Sequence, residues 1–213
     1  RICVTTQSEI EMHSADKKLL AKIYGHKRGW VFTPNDFKEI GTRDAVASAL
    51  KRHKQAGLIR QLARGLYDYP QRHPKLGTLE PSPDDIATAL AGRGGLRIQP
   101  SGAYAANLLG LSTQVPMKIA YLTEGPSRTV QIGRRQIILK HASPRRMAAA
   151  GKISGLAIQA LLHLGRAHVD EEIIARLENR LDAPARRQLL KDIRHAPRWM
   201  ADVFRRLGAK AAP

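Results

Sequence analysis

The stretch Thr33–Pro70, TPNDFKEIGTRDAVASALKRHKQAGLIRQLARGLYDYP, decides how the chain is read. Thr33 is an N-cap residue and Pro34 takes the first helical position. Asp36, three residues after the cap, places its charge at the helix's positive end. Phe37 and Ile40 give this short helix an apolar face, and Gly41 is placed to end it in a left-handed conformation. Thr42 then caps a second helix, about Arg43 to Ala56, which Gly57 stops. Val46, Ala49, Leu50 and His53 recur at helical spacing and face a core. Arg43, Ala47, Ser48, Lys51, Arg52, Lys54 and Gln55 take the other sides. Leu58–Gln61 and Leu66–Tyr69 flank Arg64-Gly65 and read as two short strands around a turn.

Two helices joined by a Gly turn, followed by a hairpin, form the pattern of a winged helix-turn-helix. Its second helix is free to enter a major groove. The polar face suits that use: Arg and Lys reach guanine edges or phosphates, Gln pairs with adenine, and Ala or Ser lets the backbone come close. The residues expected at DNA are Arg28, Thr42, Arg43, Ser48, Lys51, Arg52, Lys54, Arg60, Arg64 and Tyr67, with Arg72 adding charge beside the wing. Read without a ligand, the same pattern is a solvated basic helix beside a structural hairpin.

The runs Arg28-Gly29-Trp30-Val31-Phe32-Thr33-Pro34, Asp36-Phe37 and Ala63-Arg64-Gly65-Leu66-Tyr67-Asp68-Tyr69-Pro70 resemble the N-terminal winged-helix domain of AbiEi-type antitoxins. These belong to type IV (abortive infection) toxin–antitoxin systems. The motifs cover residues 14–72, and the rest matches in layout only. The resemblance implies a bacterial transcriptional repressor that binds inverted repeats in its own promoter. It implies a nucleotidyltransferase-like toxin countered without a stable complex. It also implies a cytoplasmic, nucleoid-associated location.

The composition agrees with a nucleic-acid partner. The chain has 213 residues with 36 Lys and Arg against 18 Asp and Glu, a formal charge of +18. Such an excess seeks nucleic acid or an anionic membrane. The cations are spread along the chain with no lipidation signal beside them, and no apolar run is long enough to span a bilayer, so nucleic acid is favoured. Cys3 is the single cysteine, which excludes a disulfide framework and a Cys-based zinc site.

Outward from the decisive stretch, residues 1–13 show no periodicity and read as disordered. Ser14 caps a first helix with Leu19, Leu20 and Ile23 buried, and Gly25 ends it. Trp30-Val31-Phe32 reads as a strand, with Trp30, Phe32 and Phe37 as core anchors. Pro70–Pro83 holds four prolines and reads as a linker over 73–83. The expected domains are 14–72 for DNA binding and 84–208 beyond the linker, the latter an α/β segment (84–148) and a helical segment (150–208).

Ser82 caps the next helix, with Asp84 and Asp85 complementing its dipole rather than binding metal. Gly92-Arg93-Gly94-Gly95 ends it, without the spacing of a phosphate-binding loop. Pro100–Gly110 reads as a helix. Residues 117–122, 129–132 and 135–141 read as a three-stranded antiparallel sheet with a Gly133-Arg134 hairpin. Four apolar stripes after Ile153 read as a helical bundle. The fold class is therefore α+β, mostly helical: a winged helix, a mixed segment with a small antiparallel sheet, and a C-terminal bundle.

No acidic side chain lies between Glu124 and Asp170, while Arg128, Arg134, Arg135, Lys140, Arg145, Arg146 and Lys152 do. That stretch reads either as a second nucleic-acid surface, for DNA or RNA, or as a solvated basic face. Arg186, Arg187, Lys191, Arg194 and Arg198 carry the same two readings, with a wet face favoured by the acids among them. An RNA-binding accessory protein that uses 128–152 is the alternative function. No nucleophile setting, GxSxG or paired carboxylates for two-metal chemistry occur, and His163 with His168 makes a poor metal pair. The expectation is a binding protein without catalysis, metal or cofactor, a monomer or weak dimer, and not membrane-bound.

Overall fold

The computed structural model describes residues 3–92 and 96–209, with side chains described from residue 14 onward. The chain is mixed α and β, with roughly half its residues helical. It divides into two compact units, Arg1–Gly94 and Gly95–Pro213.

In the first unit, α1 (Cys3–Gly25) begins well before Ser14 and takes in most of the stretch expected to be disordered. Leu19 and Ile23 on α1 are buried, as their spacing requires. β1 (Val31–Phe32) follows, then a 3-10 helix at Pro34–Phe37. The Asp36 carboxylate accepts from the Thr33 backbone N–H at 2.7 Å and its hydroxyl at 3.0 Å, which fixes that start. Gly41 is not in the left-handed region. A Cβ added there would lie 3.4 Å from that of Ala15 on α1, an ordinary contact.

α2 (Arg43–Gln55) starts at Thr42, whose hydroxyl accepts from the Ala45 N–H at 3.3 Å. β2 (Arg60–Ala63) and β3 (Leu66–Asp68) meet at the Arg64–Gly65 turn, where Gly65 takes φ +72°. The three strands pair antiparallel in the order β1-β3-β2, with Val31 opposite Asp68 and Arg60 opposite Asp68 on the other side. Phe32, Phe37, Val46, Leu50, Ile59 and Tyr69 close one core with Leu19 and Ile23. Trp30 packs against that core and stacks on His26 with ring centroids 4.0 Å apart, a structural use of the aromatic strand.

The Pro-rich stretch is not a bare linker. It contains a ribbon of β4 (Arg72–His73) and β5 (Gly77–Thr78), and α3 (Pro83–Ala91) packs back on β1. The Ser82 hydroxyl accepts from the Asp85 N–H at 3.1 Å, so the expected cap forms. The division between units falls after these elements, at Gly94–Gly95. The Gly-rich end expected at 92–95 lies, past Gly92, outside the described residues.

In the second unit, β6 (Ile98–Ser101) runs straight into α4 (Gly102–Leu108), so the helix expected from Pro100 starts two residues later. β7 (Lys118–Thr123), β8 (Arg128–Ile132) and β9 (Arg135–His141) take the expected places. Their arrangement differs from the expected meander. The sheet has four strands in the order β6-β7-β9-β8, and β7 pairs with β9 in parallel. The reason lies in side-chain burial. β9 carries the buried Ile137 and Leu139 and takes an inner position, whereas β8 is mostly exposed and fits an edge. Pro100 is tolerated because β6 is the other edge.

α5 (Ile153–Leu164) is buried along most of its length against α4 and α7 (Ala183–Lys191), and α6 (Glu171–Arg180) and α8 (Ala201–Ala209) join the same core. Leu161, Leu177, Leu189, Met200, Phe204 and Leu207 form the centre of this core. Asp192 ties it together: its carboxylate accepts from the buried Ser154 hydroxyl at 2.6 Å, Gln188 at 2.7 Å and Lys152 at 3.1 Å.

Candidate nucleic-acid interface

α2 buries Val46, Ala49 and Leu50, and its opposite side is exposed. Asp44, Ser48, Lys51 and Gln55, spaced by four, three and four residues, form one outward stripe along it. Arg43 is exposed at its start beside the Thr42 cap. Arg64 is exposed at the tip of the β2–β3 turn. Arg43, Ser48, Lys51, Gln55 and Arg64 have no side-chain hydrogen bond or ion pair among the described residues.

The other expected contacts are engaged inside the unit. Arg60 donates from Nε and Nη2 to the two oxygens of Asp68, at 3.1 and 2.6 Å, and from Nη2 to the Leu79 carbonyl at 3.0 Å. Asp68 is buried, and its hydrogen bond keeps the Arg60 guanidinium charged, raising its pKa against the opposing effect of burial. Arg60 is therefore a clamp between the sheet and the ribbon that follows it. Arg52 pairs with Asp16 of α1 at 2.8 Å, and the His53 ring nitrogen lies 3.0 Å from the same oxygen. Burial pushes the Asp16 carboxyl up, but hydrogen bonds and charge from Arg52 and His53 outweigh it and hold the pKa below its usual value.

Arg28 stacks over the Tyr69 ring, 4.7 Å from its centroid, and donates to the Pro70 carbonyl at 3.0 Å. Lys54 reaches Gln61 at 3.0 Å. Tyr67 is half-buried against Phe32, with ring centroids 6.0 Å apart. Sequence reasoning missed Asp16 as the partner that draws Arg52 and His53 toward α1; nothing local signals a carboxylate so far upstream. It also left Asp44 out of the outward stripe.

The second basic set does not form one surface. Arg128, Arg134 and Arg135 are exposed around the β8–β9 hairpin. Arg135 shares its strand parity with the buried Ile137 and Leu139, whereas Lys140 has the opposite parity and projects from the other face of β9. Arg145 and Arg146 lie beyond β9, on the segment that leads to α5, and line a separate cavity of about 320 Å³. Lys152 is paired with Asp192.

Among the described residues, no helix is long and apolar enough to cross a membrane, and no cluster of three His, Cys, Asp or Glu side chains could hold a metal.

The profile of DUF6088, a family of unknown function, matches residues 18–189. No curated protein matches the chain. The crystal structure of the RV2827C protein from Mycobacterium tuberculosis is similar over 86% of this chain and 77% of that chain, at 16% identity and a TM-score of 0.39.

Proposed function

The chain belongs to DUF6088, a family of unknown function, and we propose that it is a sequence-specific binder of double-stranded DNA whose first unit works as a winged helix-turn-helix. The observation that carries this reading is the connectivity around one core: α1, β1, a short 3-10 helix, α2, β2, a two-residue turn, β3, with the sheet ordered β1-β3-β2. In that arrangement α2 is the helix left open to a major groove, and the β2–β3 turn is the wing beside it. The groove-facing set is Arg43, Ser48, Lys51 and Gln55, with Asp44 able to accept from a cytosine amino group. Arg64 contacts phosphate and carries no base preference. The engaged residues Arg28, Arg52 and Arg60 hold the fold.

The sequence resemblance supports the rest of the proposal. The protein is a bacterial autorepressor on inverted repeats in its own promoter and the antitoxin of a type IV pair, acting without a stable complex with its toxin. A cytoplasmic, nucleoid-associated place follows from that role. The RNA-binding alternative is weaker, because the residues it needs lie on opposite faces of a strand and on a separate segment.

A gel-shift titration against the upstream DNA, with scrambled duplex and tRNA as competitors at fixed physiological salt, tests the proposal. Expected is a preference for the upstream DNA of about 10³-fold or more. Arg43→Ala and Lys51→Ala each lower that affinity about tenfold and change base preference, in line with about 1–3 kcal/mol per base contact. Equal binding to all three nucleic acids, or unchanged binding by both variants, removes the groove assignment.

A further inference from the structure

The second unit contains a cavity that the DNA-binding reading does not use. It is about 320 Å³ and sits between the segment 143–151, α5 and the 3-10 helix Ile193–His195. Arg145, Arg146, Arg194 and His195 line it, and no carboxylate does. Arg145 and Arg146 have no ion-pair partner among the described residues, and Arg194 donates only to the His195 ring nitrogen, at 3.3 Å. Three guanidiniums that share one concavity repel each other and favour an anion between them. Arginine presents its donors in a planar fork that matches phosphate.

The wall that carries two of these arginines is fixed in place. Met147 is fully buried and Ala149 nearly so. The Gly151 N–H donates to the buried Gln99 side chain at 3.1 Å. Gly155 lets this segment lie against α5, because a Cβ there would come within 2.2 Å of the Ala149 carbonyl oxygen. The arginines are thus held on a built surface.

An independent observation points to a ligand. Gln159 also lines the cavity and is only 7% exposed, yet its amide has no hydrogen-bond partner among the described residues. Its amide therefore faces the cavity with its donors and acceptor free for what fills it. Ile158, Leu162 and Pro197 give the cavity an apolar side, and Leu162 remains 44% exposed. A phosphate site, one unpaired amide facing the cavity and an apolar wall, at the low end of ligand-pocket volumes, describe a small phosphate ester with an attached ring system.

We propose that this cavity is a binding site for a nucleoside monophosphate. The phosphate sits among Arg145, Arg146 and Arg194, the Gln159 amide bonds the base or sugar, and Leu162 covers the ring.

Isothermal titration calorimetry of the full chain with AMP, GMP and inorganic phosphate, near physiological salt, tests this. Expected is saturable one-to-one binding of at least one nucleotide, with phosphate competing more weakly. Gln159→Leu keeps the side chain's bulk and is expected to weaken the nucleotide about tenfold while leaving inorganic phosphate unchanged. Arg146→Gln, on the exposed rim where folding is not at risk, is expected to weaken both about tenfold. Absence of saturable binding overturns the site. So does equal nucleotide affinity in wild type and both variants, which marks loose ion binding to a basic surface. If a 5′-phosphorylated oligonucleotide binds through these residues while AMP and GMP do not, the cavity belongs to a nucleic-acid surface and the proposal fails. Upstream-DNA binding by Gln159→Leu is expected to be unchanged, which separates this site from α2.

Discussion

The two units carry their positive charge in opposite ways. In the first, acidic residues are interspersed along the sequence, and the fold uses them: Asp68 takes Arg60 and Asp16 takes Arg52. What stays uncommitted includes Arg43, Lys51 and Arg64 on one helix and one turn, beside scattered exposed cations such as Lys18, Lys38 and Arg72. In the second, a run of 45 residues from Gly125 to Val169 has no acid at all, yet its cations are dispersed over a hairpin, two faces of a strand and a cavity. One of them, Lys152, meets a carboxylate 40 residues further on. Charge density along the sequence is thus a poor guide to a binding surface. The deciding question is whether the fold brings a carboxylate to the cation, because a paired guanidinium is a structural clamp.

The largest effect expected of that rule is in the second unit. Asp192→Ala leaves the fully buried Ser154 hydroxyl without its acceptor and removes bonds from Gln188 and Lys152. Hydrogen bonds to charged groups contribute about 1.5–3 kcal/mol each, so a loss of about 3 kcal/mol is expected. Urea unfolding in a Trp30→Phe background measures it, since the remaining Trp199 lies in the second unit. Burial pushes the Asp192 carboxyl up, but the bonds from Ser154, Gln188 and Lys152 prevail and hold its pKa below the usual value. A lowered folded-state pKa gives stability that is present above the ordinary range of about 4 and is lost as pH falls through the lowered value. Acid sensitivity of the second unit below about pH 4 is therefore expected to be reduced in the variant.

Arg60→Ala comes next, at about 2 kcal/mol, because it leaves a buried Asp68 charge without its partner, and Arg60 itself is partly exposed, which limits the effect. Urea unfolding in a Trp199→Phe background reads it in the first unit. At temperatures where the variant is folded, its affinity for scrambled duplex is expected to match the wild type. A large drop in that affinity would make Arg60 a phosphate contact after all and erase the distinction between clamp and contact.

The elements from Val31 to Asp68 were legible because each has a local cause. Thr33, Thr42, Gly57 and Gly65 mark starts and stops within a few residues of where they act, and the 3.6-residue spacing of Val46, Ala49 and Leu50 needs no distant information. What escaped is non-local. Nothing near Arg60 or Arg52 reveals which carboxylate will reach it. The order of β7, β8 and β9 escaped because adjacent segments pair by default, and the sheet instead placed its most exposed strand, β8, at an edge. The cavity draws on Gln99, Arg146, Gln159 and Arg194, nearly a hundred residues apart, so it had no motif. Nothing local marks Gly155, although its Cβ-free backbone is what admits the Ala149 carbonyl.

The smallest expected effect is also the sharpest test of the comparison. Arg64 and Arg60 are four residues apart on one hairpin and have the same charge, so sequence alone treats them alike. Arg64 is exposed at the turn with no partner among the described residues, the position that the proposed reading assigns to phosphate. Arg64→Ala is expected to leave urea unfolding unchanged within about 0.5 kcal/mol, as for an unpaired surface side chain. It is expected to weaken binding to upstream and scrambled duplex by the same factor, and to reduce the slope of log affinity against log salt by about one. Stability and binding should thus respond in opposite ways in Arg60→Ala and Arg64→Ala. If both variants lose binding and neither loses stability, the pairing with Asp68 does not decide the role of a cation here, and the β2–β3 hairpin is a uniformly charged surface.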